Sequence, residues 1–298
     1  MSFIHPGRLY LRKRGAIESA EDIFNYADFL RVEAGVDGVI PVDIDGIFQH
    51  FGIPTPKFAP LPDQQGLLFN AESGIIIINS EDPATRQKFS KAHELVELLF
   101  AELPQGLSLG GGWFLHRPGG FKEKTKETLC NQTAADLLMP PSEIQTRIQL
   151  YGSNFDSGRL IATDFEVSLS AALVQIARLS SDSCAVILWQ MKNKPSELKK
   201  QPDRAQLKLT GFDLVEGPTK KLRVVWSFGG TNTPYIPIDK SIDNNSHVFM
   251  AWECNIFTYG DDYLTFDGRS SALYRTENQP FTVEGEKMVL SFIRKLKS

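Results

Sequence analysis

The stretch "FSKAHELVELLF", residues 89–100, decides the reading of this chain. It is read as part of a long helix over 84–101. Residues four apart on a helix share a face, so His93 and Glu97 point the same way and Glu94 lies one position round. A His-Glu-x-x-His helix holds a divalent metal with its two histidines and uses the intervening Glu as general base. Here Glu97 occupies the place of the second histidine. A carboxylate binds zinc at about 2.0–2.2 Å, much like imidazole, so a donor is kept. Two carboxylates on the metal weaken its Lewis acidity and raise the pKa of its bound water. An oxygen-rich shell also admits Mn2+ or Fe2+ in place of Zn2+. The other reading of the same residues is a site that binds metal poorly or not at all.

A metal peptidase needs a third protein ligand and an open fourth position. The segment "KEKTKETLCNQTAADLLMPP", residues 122–141, offers that ligand in Glu127. Its helix is expected over 121–139, stopped by Pro140-Pro141. Asn131 shares the face of Glu127 four residues on and suits a hydrogen bond that orients a ligand. Cys130, three residues after Glu127, is either a small buried apolar residue or a thiol that caps the open metal position as a latency switch. The glycine-rich stretch 103–120 between the two helices carries His116. That histidine is either a solvated loop residue or a catalytic group that stabilises the oxyanion or replaces the absent ligand.

The run "IIIIN…RQKFSKAHEL", followed by Glu127, Asn131 and "AADLLMP", resembles the ImmA/IrrE family of metallo-endopeptidases. Arg86, Phe89, Ala92, His93 and Glu94 match the family's first helix. Glu127, Asn131, Ala134 and Leu137-Leu138-Met139-Pro140 match its second. The resemblance covers roughly residues 17–145, and the helical segment to 181 more weakly. It implies a zincin-like fold with His93 and Glu127 as metal ligands and Glu94 as general base; Glu97 departs from the family pattern. It also implies site-specific cleavage of a helix-turn-helix transcriptional repressor in response to stress, DNA damage or phage, and a GAF-like sensor as second domain. The reading from another class is a catalytically weak or inactive regulator that binds protein or nucleic acid.

With 298 residues the chain is long enough for two domains and a connector. The expected organisation is α+β. A zincin-like metallopeptidase domain spans 1–145, a helix-turn-helix-like connector 146–182, and a β-rich GAF-like domain 183–298. Helices are read at 19–35, behind an N-cap at Ser19, and at 42–51, with short strands at "GLLFN" and "GIIIIN". Helix, tight turn, helix is read around Val167-Ser168. After Cys184, "CAVILWQ", "KLRVVWSF", "HVFMAWEC" and "YLTF" read as strands and "YGDD" as a turn. The end, "GEKMVLSFIRKLK", reads as an apolar helix, and Trp189, Trp226 and Trp252 as core residues of the sheet.

The net charge of −4 argues against general nucleic-acid or membrane binding. Three cysteines, odd in number and far apart, fit a reducing compartment. With no secretion signal read at the N-terminus, a cytoplasmic protein with no membrane partner is expected. Residues 142–181 carry three Arg against four acids, too little for a DNA-groove reader. Residues 191–225 hold nine Lys/Arg against four acids, which suits either a solvated loop or contact with single-stranded DNA or a small anionic ligand.

Overall fold

The computed structural model describes residues 2–103, 123–198, 220–230, 232–266 and 271–296. The chain divides into two compact units, one of Met1–Arg147 with Arg159–Gln175, the other of Ile148–Gly158 with Ile176–Ser298.

The first unit opens with α1 (Pro6–Arg14), whose first turn takes Pro6 without losing a hydrogen bond. α2 (Ala20–Glu33) begins with a capping box: the Ser19 hydroxyl accepts from the Asp22 N–H, and Asp22 accepts from the Ser19 N–H. α3 (Ile44–His50) is capped by Asp43. A three-stranded sheet follows in the order β1-β3-β2, built from β1 (Lys57–Ala59), β2 (Gly66–Asn70) and β3 (Ile75–Asn79). β3 is central, parallel to β1 and antiparallel to β2, which leaves β2 at an edge.

α4 (Ala84–Phe100) buries Ala92, Leu95, Val96, Leu98 and Leu99, and α5 (Glu123–Leu138) packs against it with Leu129, Ala134 and Leu137. Gly7 lets α1 approach this layer, since a Cβ there would lie 2.6 Å from the Leu98 carbonyl oxygen. α2 is tied to α4 and α5 by polar contacts. The buried Arg31 guanidinium donates to the Asp136 carbonyl at 2.8 Å, and the Tyr26 hydroxyl donates to the Leu95 carbonyl at 3.4 Å. α6 (Pro141–Tyr151), α7 (Phe155–Phe165) and α8 (Leu169–Leu179) continue the chain. α7 and α8 are joined through Glu166 in the left-handed region, with φ 54°. The Pro140-Pro141 pair ends α5 and also starts α6, because Pro141 fits a first helical position.

The second unit holds an antiparallel five-stranded sheet in the order β5-β4-β8-β7-β6. Its strands are β4 (Cys184–Lys192), β5 (Lys221–Gly229), β6 (Thr258–Leu264), β7 (Ala272–Val283) and β8 (Glu286–Lys295). Ala185, Ile187 and Trp189 alternate along β4 into a core shared with Val224, Val248, Tyr274, Val289 and Ile293. The buried Trp189 indole donates to Ser291 Oγ at 2.9 Å, which in turn donates to Asn278 Oδ1 at 2.6 Å.

Four readings of this unit are corrected. "HVFMAWEC" is a helix, His247–Cys254: Ser246 caps it, Asn255 ends it in the left-handed region, and Val248 and Ala251 are buried three residues apart. The terminal segment read as a helix is strand β8, in which Val289 to Ile293 are buried without a break. A two-residue turn with positive φ at both Glu284 and Gly285 pairs it with β7, the geometry that matches strand twist. "YGDD" lies inside β6, where Asp261 pairs across the ladder with Arg275. Trp226, read as a core residue, is 40% exposed on edge strand β5.

Candidate metal centre

α4 and α5 each present one polar face, and the two faces meet. From α4 come His93 and Glu97; from α5 come Lys126, Glu127, Cys130 and Asn131. His93 Nδ1 lies 3.1 Å from Asn131 Oδ1. A carbonyl oxygen accepts only, so this contact places the imidazole proton on Nδ1 and leaves Nε2 as the free acceptor. That nitrogen lies 3.8 Å from both Glu97 Oε1 and Glu127 Oε2. Cys130 Sγ donates to Glu97 Oε1 at 3.3 Å, and Lys126 ion-pairs with the other Glu97 oxygen.

Glu94 faces a different neighbour. It is buried, and its carboxylate accepts from the backbone N–H of Leu68 on β2. Burial, joined by the charges of Glu97 and Glu127, pushes it up to about 8, against the opposing pull of the Leu68 N–H and Lys126. Gly66 makes this placement possible, since a Cβ there would lie 2.7 Å from Glu94 Oε1. Burial, and then the nearby Glu97 charge, also pushes the Cys130 thiol up.

The donor set suits a divalent metal. Bonds of about 2.0–2.3 Å around a tetrahedral centre put neighbouring donors roughly 3.3–3.8 Å apart. The Glu97–Cys130 separation of 3.3 Å lies at the lower edge of that range, and each carboxylate lies 3.8 Å from His93 Nε2, a few tenths of an ångström beyond the roughly 3.3–3.5 Å of a nitrogen and an oxygen on one zinc ion. Among the described residues, His93, Glu97 and Cys130 form the group whose donor atoms all lie within 4.8 Å of one another. Glu127 stands beside His93 with its side chain 46% exposed.

The structure therefore brings together five of the sequence-read residues on two helices: His93, Glu97, Glu127, Cys130 and Asn131. Glu94 sits against the sheet beside them. His116 lies outside the described residues, as do Lys199, Lys200, Arg204 and Lys208 of the basic run. Sequence reasoning missed two participants, Lys126 and Gly66. Lys126 carries a local signal, being one residue before Glu127, whereas the role of Gly66 depends on how β2 meets α4.

Part of the chain is similar in sequence to proteins described as metalloproteases. Residues 50–177 match the peptidase M78 family model, described as an IrrE N-terminal-like domain. The radiation response metalloprotease IrrE of Deinococcus radiodurans is 34% identical over 119 residues, 39% of this chain and 34% of that protein. The protein of the same description from Deinococcus deserti is 33% identical over 125 residues, 41% of this chain and 42% of its own length. The matches thus span less than half of either relative. Among solved structures, a Mycobacterium tuberculosis transcriptional regulator superposes with a TM-score of 0.52 at 12% identity, over 98% of this chain and 80% of that one. That likeness concerns the fold alone.

Proposed function

Starting from an IrrE N-terminal-like domain of the ImmA/IrrE family at residues 50–177, we propose that the chain is a metal-dependent regulatory endopeptidase of the cytoplasm. Its substrate would be a helix-turn-helix transcriptional repressor, cleaved under stress, DNA damage or phage attack. The observation that carries this reading is the approach of Glu97 and Glu127, each at 3.8 Å, to His93 Nε2, with Glu94 buried one residue from that histidine. His93, Glu97 and Glu127 would hold Zn2+, with Mn2+ or Fe2+ as alternatives. Once bound, the metal supplies a Lewis acid for the scissile carbonyl and lowers the pKa of its water.

The remaining work falls to the chain's own side chains. Glu94 accepts the water's proton and passes it to the leaving amine. A cation nearby offsets the burial and like-charge repulsion that hold this carboxyl protonated, which readies it as a base. Asn131 keeps the His93 ring in the tautomer that leaves Nε2 free. β2 is an edge strand carrying exposed Leu67 and Phe69, so an extended substrate segment could pair along it next to Glu94.

For the second domain we propose a GAF-like sensor. The sheet order, with β4 between β5 and β8, and an open cavity of about 420 Å³ support it. Trp189, Ile242, Leu264 and Phe266 give that cavity apolar walls, and Lys240 and Asp262 its charges. A small ligand or single-stranded DNA would supply the signal.

A catalytically weak regulator is the second reading. Lys126 favours it, because its ion pair with Glu97 competes with a metal for the same carboxylate. Mixing the purified full chain with a candidate repressor and Zn2+ or Mn2+ separates the two readings. Cleavage that disappears with Glu94→Gln supports the peptidase. Equal behaviour of wild type and variant sinks it.

A further inference from the structure

We propose that Cys130 is a metal ligand, its thiolate closing the coordination shell formed by His93, Glu97 and Glu127. This rests on the metal site proposed above and adds to it the donor that sets its selectivity and its resting state.

Three observations carry the inference. The first is position: Cys130 Sγ lies 3.3 Å from Glu97 Oε1, a few tenths of an ångström short of the roughly 3.6 Å between a sulfur and an oxygen bound to one zinc ion. The second is membership: His93, Glu97 and Cys130 form the compact donor group, while Glu127 contacts His93 from a half-exposed position. The third is helix geometry. Glu127, Cys130 and Asn131 lie three and four residues apart on α5, so a single face delivers one carboxylate ligand, the thiol and the group that orients His93. Cys130 is fully buried, so its sulfur is directed into the interface between α4 and α5 and away from solvent.

The consequences are chemical. When metal binds, the S–H bond opens, the sulfur keeps the electron pair and donates it to the cation, and the proton leaves to solvent. The Glu97 oxygen that accepts the thiol proton in the metal-free state becomes free to coordinate. His93, Glu97 and Cys130, joined by Glu127 once it moves in from its half-exposed position, would give the metal one imidazole, two carboxylates and one thiolate, a donor set that leaves no position for water. The resting protein is therefore latent, and the thiolate must leave before water can bind. A sulfur donor also turns a shell that would accept manganese into one that prefers zinc.

Cobalt(II) is the probe. The full chain is loaded with Co2+ and its absorption recorded, and zinc is then competed against manganese. The expected result is a sulfur-to-cobalt charge-transfer band in the near ultraviolet that is lost in Cys130→Ser. That variant should also lose at least tenfold of the zinc-over-manganese preference. Because Cys130 is buried, a second protein guards against misfolding of that variant. In Cys184→Ala/Cys254→Ser, Cys130 is the sole thiol left, so a retained band assigns the sulfur without touching it. Cobalt bound with no sulfur band overturns the inference and leaves the peptidase site standing. If no cobalt binds at all, the metal site itself fails and the inference with it.

Discussion

In the proposed peptidase, Glu94 is the residue on which catalysis would turn. Its burial against β2 holds it near 8 without a cation, so its readiness as a base depends on positive charge nearby. Glu94→Gln keeps shape and hydrogen-bonding capacity but loses the base. Cleavage should fall by about 10²- to 10⁴-fold, with metal content unchanged by elemental analysis. Gly66 makes a finer test. A methyl there would meet Glu94 Oε1 at 2.7 Å, the far end of a flexible side chain. Gly66→Ala should therefore leave the melting temperature nearly unchanged while lowering cleavage by about 10²-fold, the cost of a displaced reacting group. A large drop in melting temperature with normal cleavage would contradict this placement. Helical spacing put His93 and Glu97 on one face of α4 in the sequence, whereas Glu127 stood out only because its helix resembles the second helix of the ImmA/IrrE family. Gly66 was not legible, since its meaning arises only where a strand crosses a helix.

Among the elements, α2 has the most explicit local code, and its capping box responds to pH. The Arg14 guanidinium, with the backbone N–H groups of Glu18 and Ser19, holds Asp22 at about 2. Its folded value lies below the unfolded one, so the stabilisation is complete above about pH 4. It is lost as pH falls through about 2. Asp22→Ala should cost about 1 kcal/mol at neutral pH, a typical value for a lost helix cap. In urea melts the gap from wild type should close as pH is lowered towards 2. A gap independent of pH would show that the carboxylate plays no part in it. Ser19 announced this helix in the sequence. The terminal strand was illegible for the opposite reason: a continuous buried run such as "VLSFI" fits a core strand or a core helix equally well. Pairing with β7 decides it, and that contact is not encoded locally. "HVFMAWEC" misled in the same way, since eight residues with bulky apolar side chains satisfy both periods.

At the scale of the whole molecule, one unit carries a candidate metal-binding group and the other a sheet bearing an open cavity. Helices α7 and α8 have the outline of a DNA-binding pair, yet residues 142–181 carry three Arg against four acids. Duplex DNA should therefore show no salt-dependent binding to the full chain near physiological ionic strength of about 0.15 M. A gel shift that weakens with added salt would overturn that expectation. Among the described residues no single helix is long and apolar enough to cross a membrane.

The central claim is that His93 and Glu97 ligate a metal, a carboxylate standing where a second histidine is usual. Calorimetric titration of zinc into the full chain tests this most directly, with Glu97→Ala run alongside wild type. The account predicts one zinc bound per chain, with affinity reduced at least about a hundredfold in the variant, or about 2.7 kcal/mol. No zinc binding to wild type, or equal affinity in both proteins, would contradict it.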